Sequence, residues 1–203
     1  MAERLDGTTE SALERAAEAI RDGHLVVYPT ETVYGLGADA LDPDAVESVF
    51  AAKDRPRDDP VSLAVPSVDA ALDYVSVDAI ERSFMDEFLP GPVTVVLEKR
   101  DVVPDGLTGG RDRVGVRVPD HDIALGLLER AAPITATSAN VSGNPSVTHL
   151  EGLDPAMAAA AAVLLDGGET PGGGSTVVDV AAGTIHRRGQ GAEAVESWLQ
   201  ERA

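Results

Sequence analysis

Three cationic side chains within five residues form the most unusual cluster in this sequence. Lys53, Arg55 and Arg57 occur in a chain of 203 residues that carries 35 acidic and only 16 basic side chains. An arginine fork binds phosphate oxygens in pairs, and a lysine adds a compact positive charge. The cluster therefore indicates either a polyphosphate site or, equally well, a helix end stabilised by its dipole. The phosphate-binding loop G-x-x-x-x-G-K-[ST] does not occur.

Two polar segments directly follow predicted strands, where α/β sheets place many ligand sites. Residues 29–37 read P-T-E-T-V-Y-G-L-G and carry two threonine hydroxyls and a carboxylate. Residues 135–146 read T-A-T-S-A-N-V-S-G-N-P-S and offer hydroxyl and amide groups. Such side chains hydrogen-bond a sugar, a phosphate or a carboxylate, but they also cap ordinary turns. Spacing alone leaves both interpretations open.

Further along the chain, two stretches add possible anion contacts. Residues 172–176, G-G-G-S-T, would let the backbone approach an anion closely, although a triple glycine can also be a simple turn. Arg111, Arg113 and Arg117 surround a predicted strand and could share one of its faces. Because a buried arginine is costly without a partner, these side chains are predicted either to form ion pairs or to receive an anionic ligand.

Several kinds of catalytic site lack support in the sequence. The chain has no cysteine, which excludes disulfides, thiolate metal sites and a cysteine nucleophile. Its four histidines, at positions 24, 121, 149 and 186, show no metal-ligand spacing, so we predict no metal held by the protein. No G-x-S-x-G nucleophile motif is present.

The charge balance restricts the partners of the protein. A net charge of −19, with lysine only at positions 53 and 99, predicts a solvated acidic surface and suggests adaptation to high salt. It disfavours general nucleic-acid binding, which needs a basic face. The longest apolar run, residues 156–165, is half of the roughly 20 residues that a membrane span needs, and residues 1–10 lack a signal-peptide pattern. We therefore expect a soluble, cytoplasmic protein without a membrane partner.

Predicted strands and helices alternate along the chain. Helical spacing and caps predict helices at 11–21, 42–53, 67–74, 77–88, 122–130, 154–162 and 192–202. Apolar runs predict strands at 25–28, 61–65, 93–97, 114–118, 134–137, 163–165, 176–180 and 184–187. The alternation predicts an α/β domain around one sheet, and it leaves open whether that sheet is parallel or mixed. With aromatic residues at 3%, the core must be aliphatic.

Five motifs, taken in order, resemble one known family. They are P-T-E-T-V-Y-G-L-G (29–37), K-D-R-P (53–56), G-V-R-V-P (115–119), T-S-A-N-V-S-G (137–143) and S-T-V-V-D (175–179). This set is similar to that of the YrdC/Sua5 family, the L-threonylcarbamoyladenylate synthases, over about residues 10–190. The chain resembles the short form of the family, with a single domain over residues 1–203 and without the C-terminal domain of longer members.

The resemblance implies a fold and a reaction. The fold would be a twisted, largely mixed α/β sheet with flanking helices and a concave central cavity. The reaction would form threonylcarbamoyl-AMP and pyrophosphate from L-threonine, bicarbonate or CO2, and ATP with Mg²⁺. Its product would serve the t6A modification at position 37 of tRNA through a downstream threonylcarbamoyl transferase complex.

The resemblance also implies roles for particular residues. Its ATP-binding positions are Lys53, Arg55, Asp59, Arg113, Ser138, Asn140, Ser146 and Arg187, with Lys53 and Arg55 as the catalytic cations. Its threonine-binding positions are Thr32, Arg117, Ala136 and Ser175. Three positions depart from the family pattern: Asp59 replaces a usual asparagine, Ala64 a frequent histidine, and Arg113 a common threonine.

Two other functions compete with the synthase. A YciO-like paralogue would share the fold and the nucleotide pocket but have poor or different acyl-adenylate activity. A module that binds double-stranded RNA is disfavoured by the net charge of −19, so direct tRNA binding is expected to be weak at most.

Overall fold

A single mixed β-sheet with helices packed against it forms the structure, a computed structural model that describes residues 2–202. Its strands are β1 (Glu3–Asp6), β2 (Leu25–Tyr28), β3 (Gly35–Gly37), β4 (Ser62–Ala64), β5 (Val75–Ser76), β6 (Val93–Lys99), β7 (Arg113–Arg117), β8 (Ile134–Ser138), β9 (Ala161–Asp166), β10 (Thr176–Asp179) and β11 (Thr184–Arg187). Its helices are α1 (Glu10–Arg21), α2 (Pro43–Lys53), α3 (Val68–Ala71), α4 (Ala79–Phe88), α5 (Asp105–Thr108), α6 (Asp122–Ala131), α7 (Pro155–Ala160) and α8 (Ala192–Gln200).

The strand order is β1-β9-β2-β3-β8-β4-β7-β6-β10-β11, and β5 pairs with β6. Four pairs are parallel, namely β1–β9, β2–β9, β4–β7 and β6–β10. The other pairs are antiparallel. The predicted α/β class and the mixed sheet with flanking helices are confirmed.

Local signals in the sequence set the ends of the helices. Asp42 accepts a hydrogen bond from the backbone of α2, and Pro43 occupies its first position. Asp78 and Glu81 form a reciprocal capping box at the start of α4. Helix α2 ends at Lys53, and the next residue, Asp54, has a left-handed φ of 48° that makes the chain turn sharply after the helix.

Aliphatic residues form three buried clusters on the faces of the sheet, as the composition predicts. The largest cluster includes Leu63, Val95 and Val116 from the central strands. Five of the seven aromatic residues pack in or against it, and the rings of Trp198 and Phe84 form a T-shaped pair with 4.9 Å between centroids. Burial of each large aliphatic side chain contributes roughly 1.5–3 kcal/mol, so this core holds the central strands in a fixed register.

Some elements differ from the sequence prediction. Strands β1, β3 and β5 and helix α5 were not predicted, because each has at most four residues and too few positions for a hydrophobic period. The helix predicted over 67–74 is confined to Val68–Ala71, and that over 77–88 begins at residue 79. Residues 161–162, predicted as helix, begin strand β9, because pairing with β2 outweighs the helix propensity of alanine.

Candidate functional site

A cavity of about 760 Å³ opens on one face of the sheet, between strands β8 and β10. Its floor consists of alternate residues of the central strands, since side chains along a strand point alternately to opposite faces. Small residues occupy the middle of this floor, among them Ser62, Thr94 and Gly115. They leave a volume within the range of small-molecule sites.

Replacement of Gly115 should close part of this cavity. A Cβ atom there would overlap Ser62 Oγ and come within 3.0 Å of Thr94 Cγ2. We expect Gly115→Val to cost about 1–3 kcal/mol of stability by overpacking and to lower ligand affinity at least about tenfold. Thermal unfolding and calorimetry measure both effects. The control is Gly106→Ala, where the added Cβ meets no atom within 4 Å; equal losses in the two variants would contradict this assignment.

One end of the cavity is built around Arg117. Its Nη2 atom donates to Glu31 Oε1 at 2.9 Å and to Thr32 Oγ1 at 2.8 Å. The Arg117 and Glu31 side chains are only 13% and 14% exposed. Arg117 Nε is buried without a hydrogen-bond partner. Because this guanidinium lines the cavity and its ion pair and hydrogen bond use only Nη2, it is suited to a carboxylate.

A second arginine that lines the cavity, Arg187, lies on strand β11. Arg187 Nη2 donates to Ser175 Oγ at 2.9 Å, and Nε donates to Ser175 O at 3.1 Å. Ser175 Oγ also lies 3.0 Å from Thr94 Oγ1 on the floor. Within residues 2–202 no carboxylate forms an ion pair with Arg187, so its charge is available to an anion.

Arg55 faces the cavity from the loop after helix α2. Its guanidinium donates to Asp59 O and Pro60 O, both at 2.9 Å, and pairs with Asp59 Oδ2 at 3.0 Å. These contacts fix the side chain, which remains 20% exposed. Asp59 is the more exposed partner at 55%, so an anion that binds the guanidinium more tightly could replace its carboxylate at Arg55.

The remaining predicted arginines, Arg111 and Arg113, also line the cavity. Arg111, Arg113 and Arg117 all line it, so they share one face as predicted. Arg113 pairs with Asp179 at 3.0 Å and with Glu81 at 3.5 Å. The sequence left open whether these arginines form ion pairs or receive an anionic ligand. Arg113 forms ion pairs.

Burial and like charge shape the electrostatics of the cavity. Burial lowers the pKa of Arg187, and the nearby Arg117 and Arg55 guanidinium groups lower it further. Burial raises the pKa of Tyr28, which also lines the cavity, to about 12. The phenol therefore stays neutral. Five arginines and three aspartates line the cavity, so positive side chains outnumber negative ones there in a chain of net charge −19.

Ten of the twelve predicted site residues line this cavity, and two do not. Lys53 is 1% exposed, and its Nζ atom lies behind the cavity wall, where it donates to Ser138 O and Asn140 O. Asn140 lines a neighbouring groove of about 390 Å³ instead. In this structure, Lys53 and Asn140 therefore do not line the cavity in which the other predicted ATP-binding residues lie.

Lys53 should make the stability of the protein depend on pH. Burial, and then the neighbouring Arg55, lower its pKa to about 8, against the opposing effect of Asp59. The unfolded chain keeps this proton up to about pH 10.4. Between these values the unfolded state binds more protons, so the free energy of unfolding contributed by Lys53 rises with pH.

Urea unfolding at pH 8 and pH 10 measures this dependence. We expect the stability of the wild type relative to Lys53→Met to increase by about 2 kcal/mol over that range. Lys99→Met, which changes the other lysine, serves as the control. An unchanged difference between wild type and Lys53→Met would show that Lys53 has an ordinary pKa.

Several cavity residues were not singled out from the sequence. The carboxylate of the P-T-E-T motif, Glu31, lies beside the cavity, where it pairs with Arg117 of β7, and nothing in the sequence shows this pairing. Ser62, Thr94 and Asp179 reach the cavity from strands that are far apart in sequence. The sequence feature that could have identified them is the placement of small or polar residues at alternate positions of otherwise apolar strands.

Two structural findings limit the kinds of site present. Within residues 2–202, no group of three or more His, Asp or Glu side chains could hold a metal ion. None of the helices in that range is both long and apolar enough to cross a bilayer.

Comparison with known proteins identifies the family. The Sua5/YciO/YrdC family model, described as "Telomere recombination", matches residues 18–189. The chain belongs to the Sua5/YciO/YrdC family. The YrdC/Sua5 resemblance of the five motifs is thereby confirmed.

Three curated relatives of this chain share the name threonylcarbamoyl-AMP synthase. Threonylcarbamoyl-AMP synthase from Pyrococcus abyssi is 47% identical over 169 residues, which are 81% of this chain and 49% of the relative. The Bacillus subtilis enzyme of that name is 38% identical, with 80% of this chain and 48% of the relative covered. The chain thus spans about half the length of these two relatives. The Xanthomonas axonopodis enzyme is 36% identical, and 76% of this chain and 85% of that one are covered.

Solved structures of the Sua5/YciO/YrdC family confirm the fold. The structure of P. abyssi Sua5 in complex with L-threonine matches with a TM-score of 0.86 and 40% identity, over 99% of this chain and 61% of that one. The structure of Escherichia coli YciO matches with a TM-score of 0.79 and 26% identity, over 94% and 95% of the two chains.

Proposed function

We propose that this chain is an L-threonylcarbamoyladenylate synthase, a nucleotidyltransferase that joins L-threonine, bicarbonate or CO2, and ATP. The convergence of Arg55, Arg117 and Arg187 on one cavity carries this proposal, because such a cavity favours ligands with several negative charges. The names of the relatives support the same activity.

The two ends of the cavity suit two different substrates. Threonine fits at Arg117, whose guanidinium would take the α-carboxylate while the hydroxyls of Thr32 and Ser175 contact the amino acid. Ala136, on the adjacent strand, would border it. The polyphosphate fits at Arg55 and Arg187, with Ser138 and Ser146 lining the same part of the cavity. The L-threonine complex of the P. abyssi protein agrees with an amino acid site in this fold.

The reaction needs no nucleophile from the protein. The threonine ammonium loses one proton, and the resulting amine combines with bicarbonate to give a carbamate and water. A carbamate oxygen then attacks the α-phosphorus of ATP. The bond between that phosphorus and the oxygen that bridges the α- and β-phosphates breaks, and pyrophosphate leaves. Holding the partners together can contribute about 7–11 kcal/mol. Arg55 and Arg187 would stabilise the charge that develops on the phosphates, at roughly 3–4 kcal/mol each.

Mg²⁺ would enter as part of MgATP. The carboxylates that line the cavity include Asp59 and Asp179, and both are paired with arginines. Since Mg²⁺ commonly binds through phosphates and water with few protein ligands, this donor set suits a metal carried by the nucleotide.

Mass detection of the product tests the proposed activity. The protein is incubated with MgATP, bicarbonate and one of several amino acids, and the acyl-adenylate and pyrophosphate are measured. We expect threonylcarbamoyl-AMP to form with threonine and to depend on bicarbonate. ATP binding without any threonine-dependent pyrophosphate would instead indicate the YciO-like function. Salt-sensitive binding of duplex RNA without ATP binding would indicate the RNA-binding function.

We further propose a cytoplasmic location and delivery of the product to a threonylcarbamoyl transferase complex for tRNA modification. A surface of net charge −19 would repel tRNA. The acidic surface therefore supports a route in which this chain passes on its small-molecule product and does not bind the tRNA itself.

The acidic composition also supports adaptation to high salt. Screening by counterions should relieve the repulsion among 35 acidic side chains. We expect the free energy of unfolding to rise by at least about 1 kcal/mol between 0.1 M and 2 M KCl, as measured by urea unfolding. Equal stability at low and high salt would count against the adaptation.

A further inference from the structure

The ammonium group of Lys53 has no donor left for a ligand. Nζ donates to Ser138 O at 2.5 Å, to Asn140 O at 2.7 Å and to Asn140 Oδ1 at 3.4 Å. A lysine ammonium carries three N–H groups, so all three are engaged. The residue is 1% exposed and does not line the cavity.

Lys53 also joins the turn after β8 through its backbone. Ser142 N donates to Lys53 O at 2.8 Å. The Asn140 amide holds the other side of this turn by donating to Val141 O at 3.1 Å and Asn144 O at 2.6 Å. Ser138 Oγ is hydrogen-bonded to Asn140 Oδ1. Helix α2 and the turn are thus connected by both side-chain and backbone bonds.

We infer that Lys53 is a positioning residue for the nucleotide site: it holds the 138–140 turn so that Ser138 faces the cavity, and it does not contact the phosphates. The K-x-R and S-x-N motifs then form one folded unit. Arg55 and Ser138 face the cavity, and Lys53 and Asn140 lie behind it. A phosphate contact would require Lys53 to release backbone carbonyls in a buried place, which is unfavourable. This inference rests on the proposed function, because it concerns the ATP site.

Amine acetylation tests the position of Lys53 in the unmodified protein. The chain has only two lysines, Lys53 and Lys99, so peptide mass spectrometry can follow each one separately. We expect acetylation of Lys53 by an N-hydroxysuccinimide ester to be at least tenfold slower in the folded protein than in the unfolded chain, and to change less than twofold with MgATP. The urea-unfolded chain gives the reference rates. Ready labelling of Lys53 that MgATP suppresses would overturn the inference.

A double-mutant cycle tests whether Lys53 acts through Ser138. Calorimetry gives the dissociation constant of MgATP for Lys53→Met, Ser138→Ala and the double variant, with threonine present. If Lys53 only positions Ser138, the loss of affinity caused by Lys53→Met should shrink to less than twofold in the Ser138→Ala background. Equal losses in both backgrounds would contradict the inference, since a direct phosphate contact acts independently of Ser138.

Two controls separate the possible failures. Lys99→Met removes the other lysine, which bonds Val103 O and Asp105 outside the cavity, and should leave ATP affinity unchanged. Circular dichroism verifies the fold of each variant. If Lys53→Met does not fold, the labelling of the wild-type chain still decides the question. If the wild type binds no ATP, the proposed function fails, while the labelling rates without ATP still report whether Lys53 is accessible from the cavity.

Discussion

Arg55→Ala is expected to lower the rate of threonylcarbamoyl-AMP formation about 100- to 1,000-fold, which is the usual cost of removing a preorganised donor from a developing negative charge. The Arg55 guanidinium lines the cavity, and two backbone carbonyls and Asp59 hold it in place. Alanine removes the charge without changing the chain turn at Asp54. Pyrophosphate release under saturating threonine and ATP measures the effect.

Arg57→Ala provides a matched control from the same cationic cluster. Arg57 pairs with Glu47 and lies over the Phe50 ring at 5.0 Å, and its side chain is half exposed. It does not line the cavity, so its removal should change turnover less than twofold. Normal turnover by Arg55→Ala, or equal losses in the two variants, would show that the cluster serves the helix end rather than the nucleotide.

The sequence predicted the longer elements of this fold well, for a physical reason. Helices α1, α2 and α6 each have at least ten residues, enough to display helical spacing or caps. Strand β1 has no such signal: it is short, charged and mostly exposed at the sheet edge. The order of the strands depends on long-range pairing, for instance of β1 with β9, which local periodicity does not encode.

The sequence also predicted most of the candidate site, but it did not predict how deeply each side chain is buried. The family resemblance assigned Arg55, Ser138 and Arg187 to one nucleotide site, and the structure places all three at one cavity. The burial of Lys53 was not predictable, because it depends on carbonyls that lie 85 and 87 residues further along the chain. A motif therefore identifies a structural unit, and only the structure shows which of its members face the ligand.

Arg117→Gln is expected to raise the Michaelis constant for threonine about 10- to 100-fold and to leave the dissociation constant of ATP within twofold. A hydrogen bond to a charged group contributes about 1.5–3 kcal/mol, which corresponds to this range. Arg117 lines the cavity from β7, whereas Arg55 and Arg187, which are proposed to face the phosphates, lie in the loop after α2 and on β11. Steady-state kinetics with varied threonine, together with calorimetry for ATP, measures both constants.

A structural effect must be separated from a binding effect, because Arg117 pairs with the nearly buried Glu31. Removal of one partner from such a pair costs about 3–5 kcal/mol of stability. The double variant Glu31→Gln/Arg117→Gln removes both charges and should recover most of the thermal stability. Since the missing guanidinium is what binds the α-carboxylate, this variant should still bind threonine as weakly as Arg117→Gln does. Recovery of threonine affinity along with stability would mean that Arg117 supports the fold and leaves the amino acid to other residues.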